Sequence, residues 1–132
     1  MTLRAAETDV DTLERVRLLR PMQDWAVFCD GERWAELRIV YAPGARMAVS
    51  WFAGPASEFV DRCQQTSGGP MVAHRVMGAS EVTPGQGLTP ERGRVLVVSR
   101  VTIMMRLPVG VVLCDVTAIG RFYDRVVRDD GG

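Results

Sequence analysis

The chain contains no lysine: all 16 basic residues are arginine. That excludes chemistry through a lysine Schiff base, and codon supply in a GC-rich genome accounts for the bias without reference to a site. A net charge is also missing, because Asp and Glu likewise total 16. The arginines are scattered, so there is neither an overall field nor a basic segment, and nucleic acid is not an expected partner. Cysteine is sparse, with Cys29, Cys63 and Cys114 far apart and no CxxC pair. This odd, dispersed set suggests neither a disulfide framework nor a zinc site, and a reducing cytoplasm is the expected location. No run approaches the ~18 apolar residues of a membrane span. The first stretch, MTLRAAETDVDTLERVR, carries acids where a signal peptide has its apolar core, so neither export nor a membrane anchor is expected. Histidine occurs once, as His74.

What is present is an ordinary globular composition, 47% hydrophobic and 24% charged over 132 residues, which fits one domain, 1–132, around one core. Thr8 or Asp9 can cap a first helix. Val10, Leu13, Val16 and Leu19 or Arg20 follow at spacings of three and four as an apolar stripe, with Asp11, Glu14 and Arg15 opposite. Pro21 should kink or restart that helix, Met22 to Cys29 continues it, and Asp30-Gly31 stops it. A short helix, Glu32 to Val40, precedes Ala42-Pro43-Gly44.

The period then drops from about 3.6 to about 2, the mark of strands. Arg46 to Trp51 reads as a strand, Pro55 to Gln65 as a helix with Phe59, Val60 and Cys63 on one side, and Met71 to Val82 as a strand. After the turn-rich segment Thr83 to Pro90, two long strands follow, Arg94 to Leu107 and Val109 to Arg128, separated by Pro108. Val95, Val97, Ser99, Val101, Ile103 and Met105 share the parity expected to face inward. On the last strand Cys114, Val116, Ala118, Gly120 and Phe122 share a face. Small residues at 118 and 120 leave room inside a curled sheet. The expected fold is α+β: a cone-shaped, curved mixed sheet closed at one mouth by the N-terminal helices, its interior a pocket.

Several pieces, in order and spacing, make the chain resemble the SnoaL-like, scytalone dehydratase-like group of the nuclear transport factor 2-like superfamily. They are Trp25-Ala26, Cys29-Asp30 with Trp34 and Leu37, Ala42-Pro43, Glu58-Phe59-Val60, Ala73-His74, and Gly120 to Arg125 with Asp130-Gly131. The resemblance covers nearly the whole chain. It implies that Asp30 contacts His74 and that His74 acts as general acid and base on an enclosed substrate, without metal or organic cofactor. The chemistry is sound in itself: imidazole, with a pKa of about 6.5, both accepts and returns a proton near neutrality, and a carboxylate on its other nitrogen fixes the tautomer. The two should lie within hydrogen-bond reach, roughly 2.6 to 3.2 Å between heavy atoms or slightly looser without ligand.

Departures from scytalone dehydratase at Cys29, Val49, Met105 and Phe122, where that enzyme carries polar groups, point to a more apolar pocket and away from scytalone as substrate. Trp25, Trp34 and Trp51 are candidates to line it. The resemblance also implies a Trp-containing stretch after Asp130-Gly131, so one sheet edge is expected to be shorter here or completed by a partner. Each residue has a plainer reading. His74 can be a core histidine bonded to a carbonyl, Asp30 the turn residue before Gly31, the tryptophans ordinary core, and Met47, Met71, Met77 and Met105 gap-filling core. The expectation is therefore a dehydratase, isomerase or cyclase acting on a small hydrophobic metabolite of polyketide or terpenoid type. A non-catalytic ligand-binding or assembly module is the alternative, and epoxide opening, which wants an Asp-Arg-Asp set, ranks third. Val98, Met104 and Ile119 on the outward parity predict a homodimer or homotrimer.

Overall fold

The computed structural model describes residues 9–83 and 94–127. The Thr8 cap, the turn-rich segment after Thr83, Arg128 and Asp130-Gly131 lie outside them. The element order is α1 (Asp9–Asp30), α2 (Trp34–Val40), β1 (Arg46–Val49), β2 (Phe52–Pro55), α3 (Ala56–Gln65), β3 (Val72–Thr83), β4 (Arg94–Val109) and β5 (Val112–Val127). No helix among the described residues is long and apolar enough to cross a membrane.

Helix α1 runs through Pro21 without a restart. Its buried face is not the expected stripe: Leu13 and Val16 are more than half exposed, whereas Met22, Trp25, Ala26 and Cys29 are buried. At 3.6 residues per turn, Leu13 and Val16 point away from the line through Leu18, Met22, Trp25 and Cys29. That line is the one the sheet covers. The helix ends as a left-handed cap, with Arg33 N–H donating to Phe28 O at 2.8 Å and Glu32 N–H to Cys29 O at 3.3 Å. The residue with positive φ is Glu32, at 53°, one after the glycine that the turn signal pointed to. Helix α2 therefore starts at Trp34 rather than Glu32. It is tied to α3 by Arg38, whose guanidinium lies 2.7 Å from Asp61.

β1 and β2 form a hairpin around Ser50-Trp51, with Val49 opposite Phe52. Phe52–Pro55 is a strand that alternation did not reveal, because only Phe52 and Gly54 are buried there. β3, β4 and β5 form a separate curved antiparallel meander. The parity expected for β4 is the observed one: Val97, Ser99 and Val101 are buried, while Arg100, Met104 and Arg106 are exposed. Between Met77 and Ser80 the register slips by one, so Gly78 and Ala79 together oppose Arg100. This bulge keeps Met77 and Ser80 on the same inner face despite their spacing of three. There the Ser80 and Ser99 hydroxyls meet at 2.8 Å. Pro108 does not end β4, which pairs on to Val109 opposite Val112. β3 begins its pairing at Val72 opposite Arg106, so beside Pro108 one flank of β4 has no strand to bond and the missing N–H is tolerated. The main core gathers Trp25, Ala26, Cys29, Leu37, Phe52, Phe59 and Val60 between the helices and the sheets.

Candidate active site

Among the described residues the two sheets are not hydrogen-bonded to each other. Between the end of β5, the segment from α2 into β1, and the middle of α1 lies a cleft of about 980 Å³. Among the described residues it is open to solvent, not the enclosed interior that the sequence suggested. Its wall is largely apolar, with Trp25, Met47, Met77 and Phe122. The Trp25 and Phe122 rings meet edge to face, 5.3 Å between centroids at 90°.

Of the polar side chains in this wall, Tyr41 and Asp124 are half-buried, while Arg46, Tyr123 and Arg125 are exposed. Tyr41 follows α2 directly, and its hydroxyl oxygen accepts the Trp25 indole N–H at 2.7 Å. The phenolic proton is then left with the Met47 thioether, a weak acceptor at 3.9 Å. Burial pushes the Tyr41 phenol above its usual pKa, and the neighbouring Asp124 charge pushes the same way. Tyr41 is therefore a protonated, oriented donor at neutral pH. Asp124 lies on β5, opposite Val97 and two residues beyond Phe122, on the same inward face. Among the described residues no hydrogen bond or ion pair reaches its carboxylate, and burial alone pushes its pKa up to about 6. A partnerless carboxylate in an apolar cleft, titrating near neutrality, has the properties of a general base.

Asp30 and His74 are neighbours without a hydrogen bond. His74 Nδ1 is 3.9 Å from Asp30 Oδ2, and the imidazole is 77% exposed while Asp30 is 16% exposed. The 3.9 Å approach is longer than the roughly 2.6 to 3.2 Å of a hydrogen bond. The physical reason is strand parity. Arg75, not His74, turns inward from β3 and takes both carboxylate oxygens, its backbone N–H donating to Oδ2 at 2.7 Å and its guanidinium to Oδ1 at 2.5 Å. His74 faces out, opposite Met104.

Of the other sequence candidates, Trp25 and Phe122 line the cleft. Cys29 is buried in the core, with Trp34 and Val49 packed against it. Trp51 sits 57% exposed at the hairpin turn, its ring 5.4 Å from Phe59, and Met105 is half-buried on β4. None of these five residues reaches the cleft wall. Asp24 pairs with Arg20 at the surface. Among the described residues no three metal-ligating side chains converge. Tyr41 and Asp124 were not singled out from the sequence. Extending the inward parity of β5 by one step past Phe122 reaches Asp124, whereas nothing in the sequence marks Tyr41.

Among the solved structures that share this architecture are two of low sequence identity. The Kfla4162 protein of Kribbella flavida superposes with a TM-score of 0.72 at 16% identity, over 92% of this chain and 84% of that one. A protein of Novosphingobium aromaticivorans, provisionally named a scytalone dehydratase, gives 0.70 at 17% identity, over 91% and 78%. No curated protein sequence matches significantly. The structural likenesses give the fold, nuclear transport factor 2-like. Because the SnoaL-like domain matches residues 11–132, the chain belongs to the SnoaL-like domain family.

Proposed function

We propose that this protein is a cofactor-independent enzyme of the dehydratase, isomerase or cyclase kind, acting on a small, largely apolar carbonyl compound in the cleft. The observation that carries the reading is Asp124, a half-buried carboxylate with no partner among the described residues, its pKa pushed up to about 6 by burial. Ionised at neutral pH, it takes a proton from the carbon beside the carbonyl. Tyr41, its oxygen anchored by Trp25, donates its proton as a hydrogen bond to the carbonyl oxygen as negative charge develops there. The resulting enolate either accepts the proton back at another carbon, which is isomerisation, or expels a β-hydroxyl that Asp124 protonates to water, which is dehydration. An apolar wall of Trp, Phe and Met suits a polyketide or terpenoid skeleton.

A second reading keeps His74 as the acid and base with Asp30 orienting it, on the strength of their 3.9 Å approach. It requires Asp30 to release part of the Arg75 pair. Deuterium uptake beside the carbonyl of apolar ketones in D₂O, followed by NMR, separates the readings. The parent should accelerate exchange, with a rate that rises through an ionisation near pH 6. Asp124→Asn should lose ~10² to 10⁴-fold, and His74→Ala should stay within a few-fold of the parent. The reverse pattern would move the chemistry to the dyad, and ligand binding without exchange in the parent would make the protein a binding module.

A further inference from the structure

The cleft does not end at its apolar wall. The segment from Tyr41 to Arg46 also bounds a second, smaller cavity of about 430 Å³, lined further by Arg38, Pro55, Ser57 and Val60. Arg46, the first residue of β1, therefore stands in the wall of both spaces. Its backbone is held there. Arg46 pairs with Pro55 across the hairpin, the preceding Ala45 carbonyl accepts the Ala56 N–H at 2.9 Å, and the Ala45 N–H closes a turn on Ala42 O at 3.0 Å. Gly44 permits that turn with a φ of 73°.

The charges at this junction do not balance. Arg38 is already matched by Asp61 at 2.7 Å, with Gln64 and the Ser57 carbonyl as further acceptors. Arg46 is exposed and, among the described residues, has neither an ion pair nor a hydrogen-bond acceptor for its side chain. Among the described residues lining either space, Asp124 alone is acidic.

We propose that Arg46 sets the specificity of the cleft by receiving a carboxylate, so that the substrate is an apolar keto acid whose carbonyl-bearing body lies against Trp25, Met47 and Phe122. This rests on the cleft being the site proposed above. A guanidinium presents paired N–H groups that match both oxygens of a carboxylate, whereas a neutral ketone leaves them to water. Position along the strand serves both ends of such a molecule. Met47, the residue after Arg46, lies in the cleft wall with its sulfur 3.9 Å from the Tyr41 hydroxyl, so the cation stands one residue from the side chain beside the carbonyl's hydrogen-bond donor. A single negative charge also suits the cleft. Ionised Asp124 repels a dianion such as a phosphate monoester more than it repels a carboxylate. Arg125, the other cation in the wall, follows Asp124 with the opposite parity and turns outward with Tyr123.

The test compares pinonate, a terpene-derived keto acid, with its methyl ester, by isothermal titration of the full chain at pH 7. The two probes share a ketone and an apolar skeleton and differ in charge. The parent should bind the acid ~10-fold more tightly, and the margin should shrink in about 0.5 M sodium chloride, because an exposed guanidinium is screened. Arg46→Gln should bring the two probes within about two-fold of each other while leaving the ester's affinity unchanged, and Arg125→Gln should keep the margin. In the parent, the Arg46 Nε–H signal in NMR should shift with the acid and not with the ester, which decides the matter even if a variant does not fold. Equal or absent binding of acid and ester by the parent, or a margin kept in Arg46→Gln and lost in Arg125→Gln, would overturn the assignment. Deuterium exchange is read separately: exchange without a margin removes the role of Arg46 and leaves Asp124 as base, and a margin without exchange does the reverse.

Discussion

Asp124 is buried at a cost. Its pKa rises from 3.8 to about 6 because the charged form loses water and gains no partner among the described residues, and a shift of that size corresponds to about 3 kcal/mol. The sign follows from proton binding. Below the unfolded pKa both states carry the proton and the carboxyl costs nothing extra. Between about pH 4 and pH 6 the native state holds the proton more tightly, so stability falls as pH rises. Above that window the penalty is complete. Asp124→Asn should therefore unfold at higher denaturant than the parent at pH 7, by up to about 3 kcal/mol, and show no advantage at pH 3.5. Equal urea midpoints at pH 7 would mean that the carboxylate is satisfied in solution, and the proposed base would lose its physical support. A residue that destabilises the fold while serving the cleft is difficult to single out in a sequence. Asp124 stands within Tyr123-Asp124-Arg125, a charged context that looks solvated, and only its parity with Phe122 points inward. Asp30 and His74 stood out more readily because a family resemblance marked them. What the sequence does not encode is the half-turn of strand that gives Asp30 to Arg75.

Between elements, Asp30 and Arg75 form the clamp of α1 on β3. Both side chains are only 16% exposed, and the Arg75 backbone N–H adds a bond on the free edge of β3. Removing one member leaves the other charge buried and unpaired, which costs about 3 kcal/mol or more, whereas removing both costs less than the sum. Asp30→Ala, Arg75→Ala and the double variant in urea should thus give a coupling energy of about 1 to 3 kcal/mol. Strict additivity would show that the clamp does not exist in solution. Elements with one well-covered face were legible in advance: the inward parity of β4, the Phe59-Val60-Cys63 side of α3, and Phe122 on β5 all lie where alternation or helical spacing put them. Three features were not. The α1 stripe was misjudged because the apolar Leu13 and Val16 are left uncovered while the buried line runs through Leu18 and Met22. The β1–β2 hairpin hid because its second strand is four residues long and half glycine and proline. The bulge at Gly78-Ala79 hid because two residues of opposite parity face inward there only through pairing with Arg100 on another strand.

For the whole molecule, the outer face of the meander leaves apolar side chains exposed among the described residues. Val76, Thr102 and Ile119 line up across the three strands, with His74 and Met104 in the next row and Val98 and Tyr123 further along. Ile119 is 83% exposed and Tyr123 66%, apolar surface of the kind that subunit contacts cover. Arg100 and Arg121 stand opposite each other on this face, so a partner must bring apolar contact to the Ile119 row while leaving the arginine row at a rim. A second copy turned by a two-fold axis near Ile119 does both, since it sets each Ile119 row against the other and carries the arginine rows outward. The expected species in sedimentation at micromolar concentration is therefore a dimer, with about 800 Å² covered per copy if the contact is of standard size. Ile119→Arg should convert it to a monomer of unchanged circular dichroism, because a new charge at the centre of the face cannot be paired by its own symmetry mate. The same substitution should raise the exposure of His74, beside Met104, to chemical modification by diethyl pyrocarbonate. A parent protein that sediments as a monomer, or an Ile119→Arg variant that stays dimeric, would show that copies do not associate through this face. A trimeric parent would keep the face but require a heterologous contact in place of the two-fold one.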